Sequence, residues 1–288
     1  MVPCSLSADD HVVVVDRLRS AGCVFAEDEA AVLTAAADDP EHLTRLLQRR
    51  LGGEPLEQVV GWARFCDLRI GVGPGVFVPR RRTEFLVHRA VQLVDGLAAG
   101  RPVPVLTVVE LCCGSGAIGL ALADVISRST TDPPPRIDWH AVDLDPIAVH
   151  CAEDNLAAVS AALPPRFLDG RIYQGDLFES LPPRLPGHVD LLLANTPYVP
   201  TAELHLLPAE ARLHEPRHAL DGGPDGLDLL RRIASAATDW LVSGGHLLIE
   251  ISDRQAPAAT EAFTAAGLVP GLISGADQQA TVVSGRRP

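Results

Sequence analysis

Asn195, Pro197 and Tyr198 follow directly on the end of an apolar segment of the sequence. The preceding run, residues 189–194, is almost continuously apolar, which is typical of a strand that a parallel sheet buries on both faces. In open α/β sheets, ligands bind beyond the ends of such strands. An amide oxygen can accept hydrogen bonds from a flat amino group there, and a tyrosine ring can cover its face. The combination indicates methyl transfer to an amide or an aromatic amine.

A glycine-rich turn lies upstream, between a second apolar run and a helical pattern. Gly114, Gly116 and Gly119 fit the spacing G-x-G-x-x-G, and Asp143 ends the next predicted strand. Glycines let a ligand approach the backbone closely, and a helix that starts there offers free N–H groups. The motif alone predicts a dinucleotide site; the alternative is a tight strand–helix turn without a ligand.

Two nucleotide cofactors fit this turn. NAD would place its pyrophosphate on the glycines, whereas S-adenosylmethionine would lay its amino-acid part along the turn. Asp143 suits the ribose hydroxyls of either cofactor. Glu110, just before the turn, would repel a pyrophosphate and favours a cationic amino-acid ligand. Asp176 and Leu177, after the third predicted strand, could contact the edge and the face of an adenine.

One further motif is interpreted as a chance match. His214, Glu215 and His218 fit H-E-x-x-H, a zinc-protease pattern that needs both histidines on one helical face. Pro216 lies between them and breaks or kinks a helix. None of the six cysteines forms a C-x-x-C pair either, so we expect no metal site.

The adjacent Cys112 and Cys113 invite a redox interpretation. Neighbours in sequence rarely form an unstrained disulfide. We therefore expect two small side chains beside a crowded loop.

The composition favours an enzyme that does not bind nucleic acid broadly. The 288 residues carry a net charge of −13, and such a chain repels phosphate backbones. The best local basic patch, residues 80–82, is interpreted as a solvated run of arginines. The start lacks a basic region followed by an apolar one, and no apolar run reaches the roughly 18 residues of a membrane span. We expect a cytoplasmic protein without a membrane segment.

The residue patterns divide the chain into a helical part, a hairpin and an α/β part. Residues 7–51 have helical periodicity, and residues 62–78 alternate as a hairpin would. From residue 83, helices and strands alternate, which predicts a doubly wound α/β sheet. The predicted helices span 83–97, 117–127, 146–158, 227–241 and 256–266, and the predicted strands span 105–111, 137–142, 167–173, 189–194, 246–251, 268–273 and 280–284.

Several motifs occur together and in order. Residues 76–84, V-F-V-P-R-R-R-T-E, are similar to a V-L-I-P-R-x-x-T-E stretch, and residues 195–198, N-T-P-Y, occupy the position of an N-P-P-Y motif. Residues 110–118 are similar to the cofactor turn of the same family, and Glu250 with Gln255 matches a later landmark. Over nearly its whole length the chain resembles the protein-(glutamine-N(5)) methyltransferases that modify peptide-chain release factors.

The resemblance implies a class I S-adenosylmethionine-dependent methyltransferase with a Rossmann-like sheet. It implies a helical substrate-docking domain over residues 1–60, a hairpin linker over 61–82 and a methyltransferase domain over 83–288. It also implies substrate contact through Asn195, Thr196, Pro197 and Tyr198. Together with the residue chemistry above, the expected cofactor site comprises Glu110, Cys112, Cys113, Gly114, Ser115, Gly116, Asp143, Asp176, Leu177 and Asn195.

The chain also departs from the family pattern. Thr196 replaces the first proline of N-P-P-Y, although Pro197 still restricts it to extended conformations. Cys112 and Cys113 stand where the family usually has Gly and Thr, and an expected arginine is missing after Asp277. These departures indicate a divergent paralogue, whose protein substrate is a release factor or a related protein.

The predicted chemistry is the positioning of a carboxamide nitrogen. The Asn195 side-chain oxygen and a backbone carbonyl of Thr196 or Pro197 would accept hydrogen bonds from the substrate NH2, while Tyr198 packs on the amide plane. Three alternatives stay open. They are a methyltransferase for exocyclic amines of nucleic acids, a methyltransferase for small molecules or peptide natural products, and a non-catalytic binding module with this fold.

Overall fold

The computed structural model describes residues 8–100, 104–128, 134–275 and 279–288. Its N-terminal part contains the helices α1 (Ala8–Ser20), α2 (Ala26–Ala36), α3 (Pro40–Leu51) and α4 (Leu56–Val60). Helix α3 begins at Pro40 because the Asp39 side chain caps it, accepting a hydrogen bond from the His42 N–H at 2.6 Å. The apolar side chains of this helix are buried against the other N-terminal helices; these are Leu43, Leu46 and Leu47.

A short antiparallel hairpin follows, formed by β1 (Trp62–Phe65) and β2 (Leu68–Gly71). The predicted hairpin over residues 62–78 is too long, because strand pairing ends with β2. Pro74 follows closely, and a proline cannot donate a hydrogen bond to a strand ladder. Val76 and Val78 are buried as expected, but they lie in an irregular segment.

The remaining described residues form a seven-stranded sheet with helices on both faces. The strands are β3 (Val105–Leu111), β4 (Arg136–Asp143), β5 (Leu168–Gln174), β6 (Val189–Ala194), β7 (Leu241–Ile251), β8 (Val269–Gly275) and β9 (Ala280–Arg286). The helices are α5 (Glu84–Gly100), α6 (Ala117–Ser127), α7 (Pro146–Ser160), α8 (Ala209–His214), α9 (Asp228–Trp240) and α10 (Ala256–Ala265). None of the helices in the described ranges combines the length and the apolar composition that a membrane span requires.

The strand order is β5-β4-β3-β6-β7-β9-β8. The first five strands of this order, β5, β4, β3, β6 and β7, are parallel to one another. Strand β9 is antiparallel to both of its neighbours, β7 and β8. The sheet confirms the predicted doubly wound α/β class. Apolar side chains of α5, α6 and α7 cover one face, and those of α9 and α10 cover the other.

Three predicted elements have the observed bounds, namely β3, α6 and β6. By contrast, β7 begins at Leu241 and not at residue 246. Gly244 has a positive φ of +80°, and the pairing register with β6 shifts between Val189 and Leu191. Together they form a bulge that lets the strand continue where we expected a break. Asp277, where we noted a missing arginine, lies outside the described residues.

The order of the chain through the sheet reverses between β3 and β6. The sequence runs outward from β3 through β4 to β5, then returns to the other side of β3 as β6. Leu111 pairs with Ala194 at the ends of these two strands. The glycine turn after β3 and Asn195 after β6 therefore leave the sheet side by side, at the point where ligands bind in such folds.

Candidate active site

A cavity of about 840 Å³ opens at this edge of the sheet. Its volume lies within the range of small-molecule and cofactor sites. Most of the predicted site residues line it. These are Cys112, Cys113, Gly114, Ser115, Asp143, Asp176, Leu177, Asn195, Thr196, Pro197 and Tyr198, whereas Glu110 and Gly116 are not among the lining residues.

Asp143 holds the glycine turn in shape. Its Oδ2 accepts a hydrogen bond from the Gly114 N–H at 2.8 Å, and its Oδ1 accepts one from the Asp145 N–H at 3.0 Å. Burial raises the pKa of Asp143, and these two backbone donors oppose the rise. Each carboxylate oxygen keeps a second lone pair, so Asp143 can still accept hydrogen bonds from ribose hydroxyls in the cavity.

Glu110 does not face the cavity, which corrects the expectation that it meets a cationic ligand. Its side chain is fully buried, and Oε2 accepts hydrogen bonds from the Gly119 N–H at 2.8 Å and from Trp139 Nε1 at 3.1 Å. A Cβ on Gly119 would overlap Trp139, so the glycine lets α6 pack closely over this carboxylate. Burial raises the pKa of Glu110 to about 8. Glu110 therefore supports the turn from behind.

Gly116 does not line the cavity, and its backbone conformation explains why a glycine stands there. Its φ is +74°, in the left-handed region, and a Cβ there would lie 3.0 Å from the Trp139 ring. Gly116 therefore provides the sharp entry into α6.

Asp176 and Leu177 line the cavity next to a residue that the sequence did not indicate. Arg232 Nη2, on α9, lies 2.9 Å from Asp176 Oδ2, and it lines the cavity as well. Leu177 is buried with a positive φ of 52°. Asp176 and Arg232 are 56 positions apart in sequence, so no local pattern could have revealed the pair.

The Asn195 amide has one end bonded to the protein and one end without a partner. Nδ2 donates to Thr83 Oγ1 at 3.4 Å, whereas Oδ1 is buried and has no hydrogen-bond partner among the described residues. Oδ1 is the acceptor that the predicted chemistry needs. A buried oxygen of this kind costs free energy until a donor binds it.

The backbone after Asn195 is held from two sides. Gln255 Nε2 donates to the Tyr198 carbonyl oxygen at 2.9 Å, and the Val199 N–H donates to the Leu220 carbonyl oxygen at 3.1 Å. In the described part of the chain, no hydrogen bond ends on the carbonyl oxygens of Thr196 and Pro197. Neither carbonyl therefore has a donor from these residues, and the Pro197 oxygen lies against Gly222, where an added Cβ would be 2.5 Å from it.

The predicted solvated arginine run is corrected at Arg80, which is half-buried, whereas Arg81 and Arg82 are exposed as expected. Arg80 and Arg82 line the cavity, whereas Arg81 does not. Arg80 pairs with the buried Glu215 and Arg82 with the buried Glu250. The Arg82 guanidinium also lies over the Tyr198 ring, 5.4 Å from its centroid.

The H-E-x-x-H residues do not share a helix. Helix α8 ends at His214, and Glu215 is extended, with φ −95° and ψ 145°. Glu215 accepts hydrogen bonds from Arg80, while His218 Nε2 lies 3.2 Å from Asp145 Oδ2. The geometry that a zinc protease needs is absent from these residues.

Comparisons with known proteins identify the relatives of this chain. No protein-family model matches it. It is 37% identical over 228 residues to release factor glutamine methyltransferase from Streptomyces coelicolor, covering 79% of this chain and 73% of the relative. It is 37% identical over 255 residues to the protein of that name from Mycolicibacterium smegmatis, which covers 88% of this chain and 78% of the relative.

A relative with a different name also matches. The 4-amino-L-phenylalanine/4-methylamino-L-phenylalanine methyltransferase of Streptomyces pristinaespiralis is 33% identical over 229 residues, covering 79% of this chain and 71% of the relative. Among solved structures, a T. thermophilus 16S rRNA methyltransferase in complex with AdoMet and guanosine has a TM-score of 0.50 at 17% identity, covering 79% of this chain and 50% of that one. The structural likeness concerns the fold alone, that of class I methyltransferases. The identity to the curated relatives, over most of their length, shows that this chain belongs to the release factor glutamine methyltransferase family.

Proposed function

We propose that this chain transfers a methyl group from S-adenosylmethionine to the side-chain carboxamide nitrogen of a glutamine in a protein, and that this protein is a peptide-chain release factor. The two relatives of that name support the reaction. The observation that carries the proposal is Asn195 Oδ1, a buried acceptor without a partner in the described ranges, beside the glycine turn. A carboxamide NH2 carries two donors that match such an acceptor.

The charges of the cavity suit a cationic cofactor better than a dinucleotide. The carboxylates of Asp143, Asp145 and Asp176 line it. Each arginine that lines the cavity in the described ranges already pairs with a carboxylate, so none is free to bind a pyrophosphate. This composition favours S-adenosylmethionine over NAD. When bound, S-adenosylmethionine supplies a methyl group that its positively charged sulfur makes electrophilic.

We assign separate roles to the residues that would hold the cofactor. Asp143 would accept hydrogen bonds from the ribose hydroxyls, and the turn at residues 112–115 would accommodate the amino-acid part. Asp176 and Leu177 would contact the adenine. Glu110 and Gly116 contribute by holding the turn in shape.

The chain's contribution to the chemistry is to orient the acceptor nitrogen. Its lone pair is delocalised into the amide, so it reacts only when it is held in line with the methyl group. Asn195 Oδ1 and a carbonyl oxygen of Thr196 or Pro197 accept from its two N–H donors. As the nitrogen gains positive charge in the transition state, these acceptors bind it more strongly than in the ground state, which lowers the barrier to methyl transfer. Tyr198 packs on the amide face, and the proton is lost to water afterwards.

We also propose that the helices within residues 1–60 dock the substrate protein and that residues 61–82 link them to the methyltransferase domain at 83–288. Pro55 and Phe77, from the first two segments, line the cavity together with Leu207. Arg50, at the end of α3, lies 3.0 Å from Glu210 of α8. A glutamine-bearing loop that enters the cavity would therefore contact both parts.

The test is a methylation assay with purified release factor and methyl-labelled S-adenosylmethionine. Mass spectrometry of the product should locate one methyl group on a glutamine side chain. Asn195→Ala should lower turnover by about 100-fold or more, by analogy with the loss of an oxyanion-hole group. Cofactor affinity, measured by calorimetry, should change little.

Gln92→Ala is the matched control, because it removes an amide from α5 outside the cavity. It should leave turnover unchanged. Near-normal turnover of Asn195→Ala, or binding of NAD in place of S-adenosylmethionine, would overturn the proposal. Labelling of nucleic acid in a cell extract would instead indicate an exocyclic-amine methyltransferase.

One observation favours a second candidate acceptor, an aromatic amine. The relative from S. pristinaespiralis is named for 4-amino-L-phenylalanine, whose amino group is also flat. The substitution of Thr196 for the family proline lies beside the acceptor. Methyl transfer to 4-amino-L-phenylalanine with none to release factor would support this alternative.

A further inference from the structure

A polar cluster lies next to the acceptor site and has no role in the chemistry described above. It consists of the buried Thr83 and Glu250 and of Arg82, whose side chain is 44% exposed. Thr83 and Glu250 are only 2% and 3% exposed. Burying polar groups of this kind costs free energy unless they are hydrogen-bonded.

The topology brings this cluster to Asn195. Strand β7 lies beside β6, and Ile249 pairs with Ala194. Glu250 and Asn195 therefore follow paired residues on adjacent strands. Thr83, immediately before α5, contacts Asn195 across 112 residues of sequence.

The cluster is polarised in one direction. Arg82 Nε donates to Glu250 Oε1 at 3.0 Å. The other oxygen, Oε2, is buried and has no hydrogen-bond partner among the described residues. The interaction of the Thr83 hydroxyl with this carboxyl lowers its pKa against the rise from burial, so we take this hydroxyl as the donor that serves Oε2. An ionised carboxylate can only accept hydrogen bonds, so the Thr83 hydroxyl donates its proton toward Glu250.

The direction of these bonds decides which way the Asn195 amide faces. A threonine hydroxyl has a single proton, and once that proton points to Glu250 the oxygen can only accept from Asn195. Asn195 then presents Nδ2 to Thr83, as observed, which leaves Oδ1 without a partner among the described residues and able to accept from the substrate NH2. The opposite orientation would place an NH2 group against the substrate NH2, two donors facing each other.

We propose that Glu250, held by Arg82, is a positioning residue that sets the orientation of the Asn195 amide through the Thr83 hydroxyl. This inference rests on the proposed function for its catalytic consequence, but the orientation itself is a property of the protein. A glutamine at position 250 could keep its carbonyl on Arg82 and turn its NH2 toward Thr83. The hydroxyl would then donate to Asn195 and favour the unproductive orientation.

The sequence makes a direct test possible, because the chain contains only two asparagines, Asn155 and Asn195. A sample labelled with ¹⁵N-asparagine gives two side-chain amide signals in NMR spectra. Asn155 is an internal reference, since its Nδ2 donates to the carbonyl oxygens of Gly71 at 3.0 Å and Ser115 at 2.9 Å. Glu250→Gln and Thr83→Val should each shift the Asn195 signal and leave that of Asn155 in place. Thr83→Ser, which keeps the hydroxyl, should leave both unchanged.

Kinetics provide the second readout. Glu250→Gln and Thr83→Val should lower kcat by about 10- to 100-fold, with little change in cofactor affinity. Thr83→Ser should restore turnover. Asp138→Asn is the matched control: it alters a carboxylate paired with Arg171 at 2.9 Å, near the start of β4 and outside the cavity, and should leave kcat unchanged.

The two proposals fail in different ways. An Asn195 signal that stays in place in both Glu250→Gln and Thr83→Val would overturn this inference, whatever the activity. If the wild-type protein transfers no methyl group but the Asn195 signal shifts as expected in the two variants, the proposed function alone is overturned. Circular dichroism and denaturant unfolding of each variant verify that it is folded.

Discussion

Arg80 and Glu215, 135 residues apart in sequence, form an ion pair in which Arg80 Nη2 lies 2.6 Å from both carboxylate oxygens. The Glu215 side chain is fully buried, while Arg80 is one third exposed at 33%. The Val78 N–H also donates to Glu215 Oε1 at 3.2 Å. Burial raises the pKa of Glu215, and the charge of Arg80 opposes the rise. The pair joins the segment before α5 to the loop after α8, across one wall of the cavity.

Arg80→Met should destabilise the protein strongly, because it leaves the Glu215 carboxylate buried without its cation. Loss of one partner of a buried pair typically costs about 3–5 kcal/mol in the free energy of unfolding. Arg64→Met is the control, since Arg64 and Asp67 form a pair in which both side chains are 74% exposed. Such a fully exposed pair contributes little to stability, because solvent screens the two charges. Equal losses for the two variants in urea unfolding would contradict the prediction.

Gly226→Ala should displace the loop at residues 195–198, which follows β6. Gly226 has a φ of +78°, and a Cβ there would overlap the Tyr198 carbonyl oxygen. Gly187→Ala is matched for backbone strain, because Gly187 has a φ of +76° and a Cβ added to it would meet no atom within 4 Å. The strain alone costs about 1–3 kcal/mol in either variant. We expect only Gly226→Ala to lower methyl transfer in a steady-state assay; similar activities would show that the loop tolerates the collision.

The pH dependence of stability should contain a contribution from Glu110. Its pKa is raised to about 8 in the folded protein, above the ordinary 4.5, so folding favours the protonated form. This contribution is fully present below pH 4.5 and is lost as pH rises toward 8. In cofactor-free protein, the free energy of unfolding should therefore fall from about pH 5 to about pH 8 more in the wild type than in Glu110→Gln. Asp143 titrates in both proteins, so the difference between the two profiles reports Glu110 together with its electrostatic coupling to Asp143. Parallel pH profiles from denaturant titrations would rule the contribution out.

The adjacent thiols of the glycine turn should be unreactive. Burial raises the pKa of Cys112 and of Cys113, and the charge of Asp143 adds to both shifts. Because the thiolate is the reactive form, iodoacetamide at about pH 8 should label both residues much more slowly in the folded than in the unfolded protein. Peptide mapping by mass spectrometry measures the rates. Rapid labelling of folded protein would instead support a redox role.

Local sequence patterns determined the elements that carry the site. The apolar run at residues 189–194 and the glycine spacing after residue 111 are properties of neighbouring residues, and burial on both sheet faces requires such runs. Those patterns predicted β3, α6 and β6 with their observed bounds. They also placed Asn195 and the glycine turn at strand ends. The hairpin was predicted too long because the alternation continues in Val76 and Val78, whose burial does not come from strand pairing.

The tertiary structure alone decided which side chains meet. Glu110 was expected at the ligand because it is adjacent to the turn, but the direction of its side chain depends on Gly119 and Trp139, which pack behind the turn. Arg82 and Glu250 are 168 positions apart, and neither has a local signal that marks its partner. The periodicity of a sequence reports which face of an element is buried. Which charges are paired, and which way an amide faces, depend on the packing of elements that the chain brings together from distant positions.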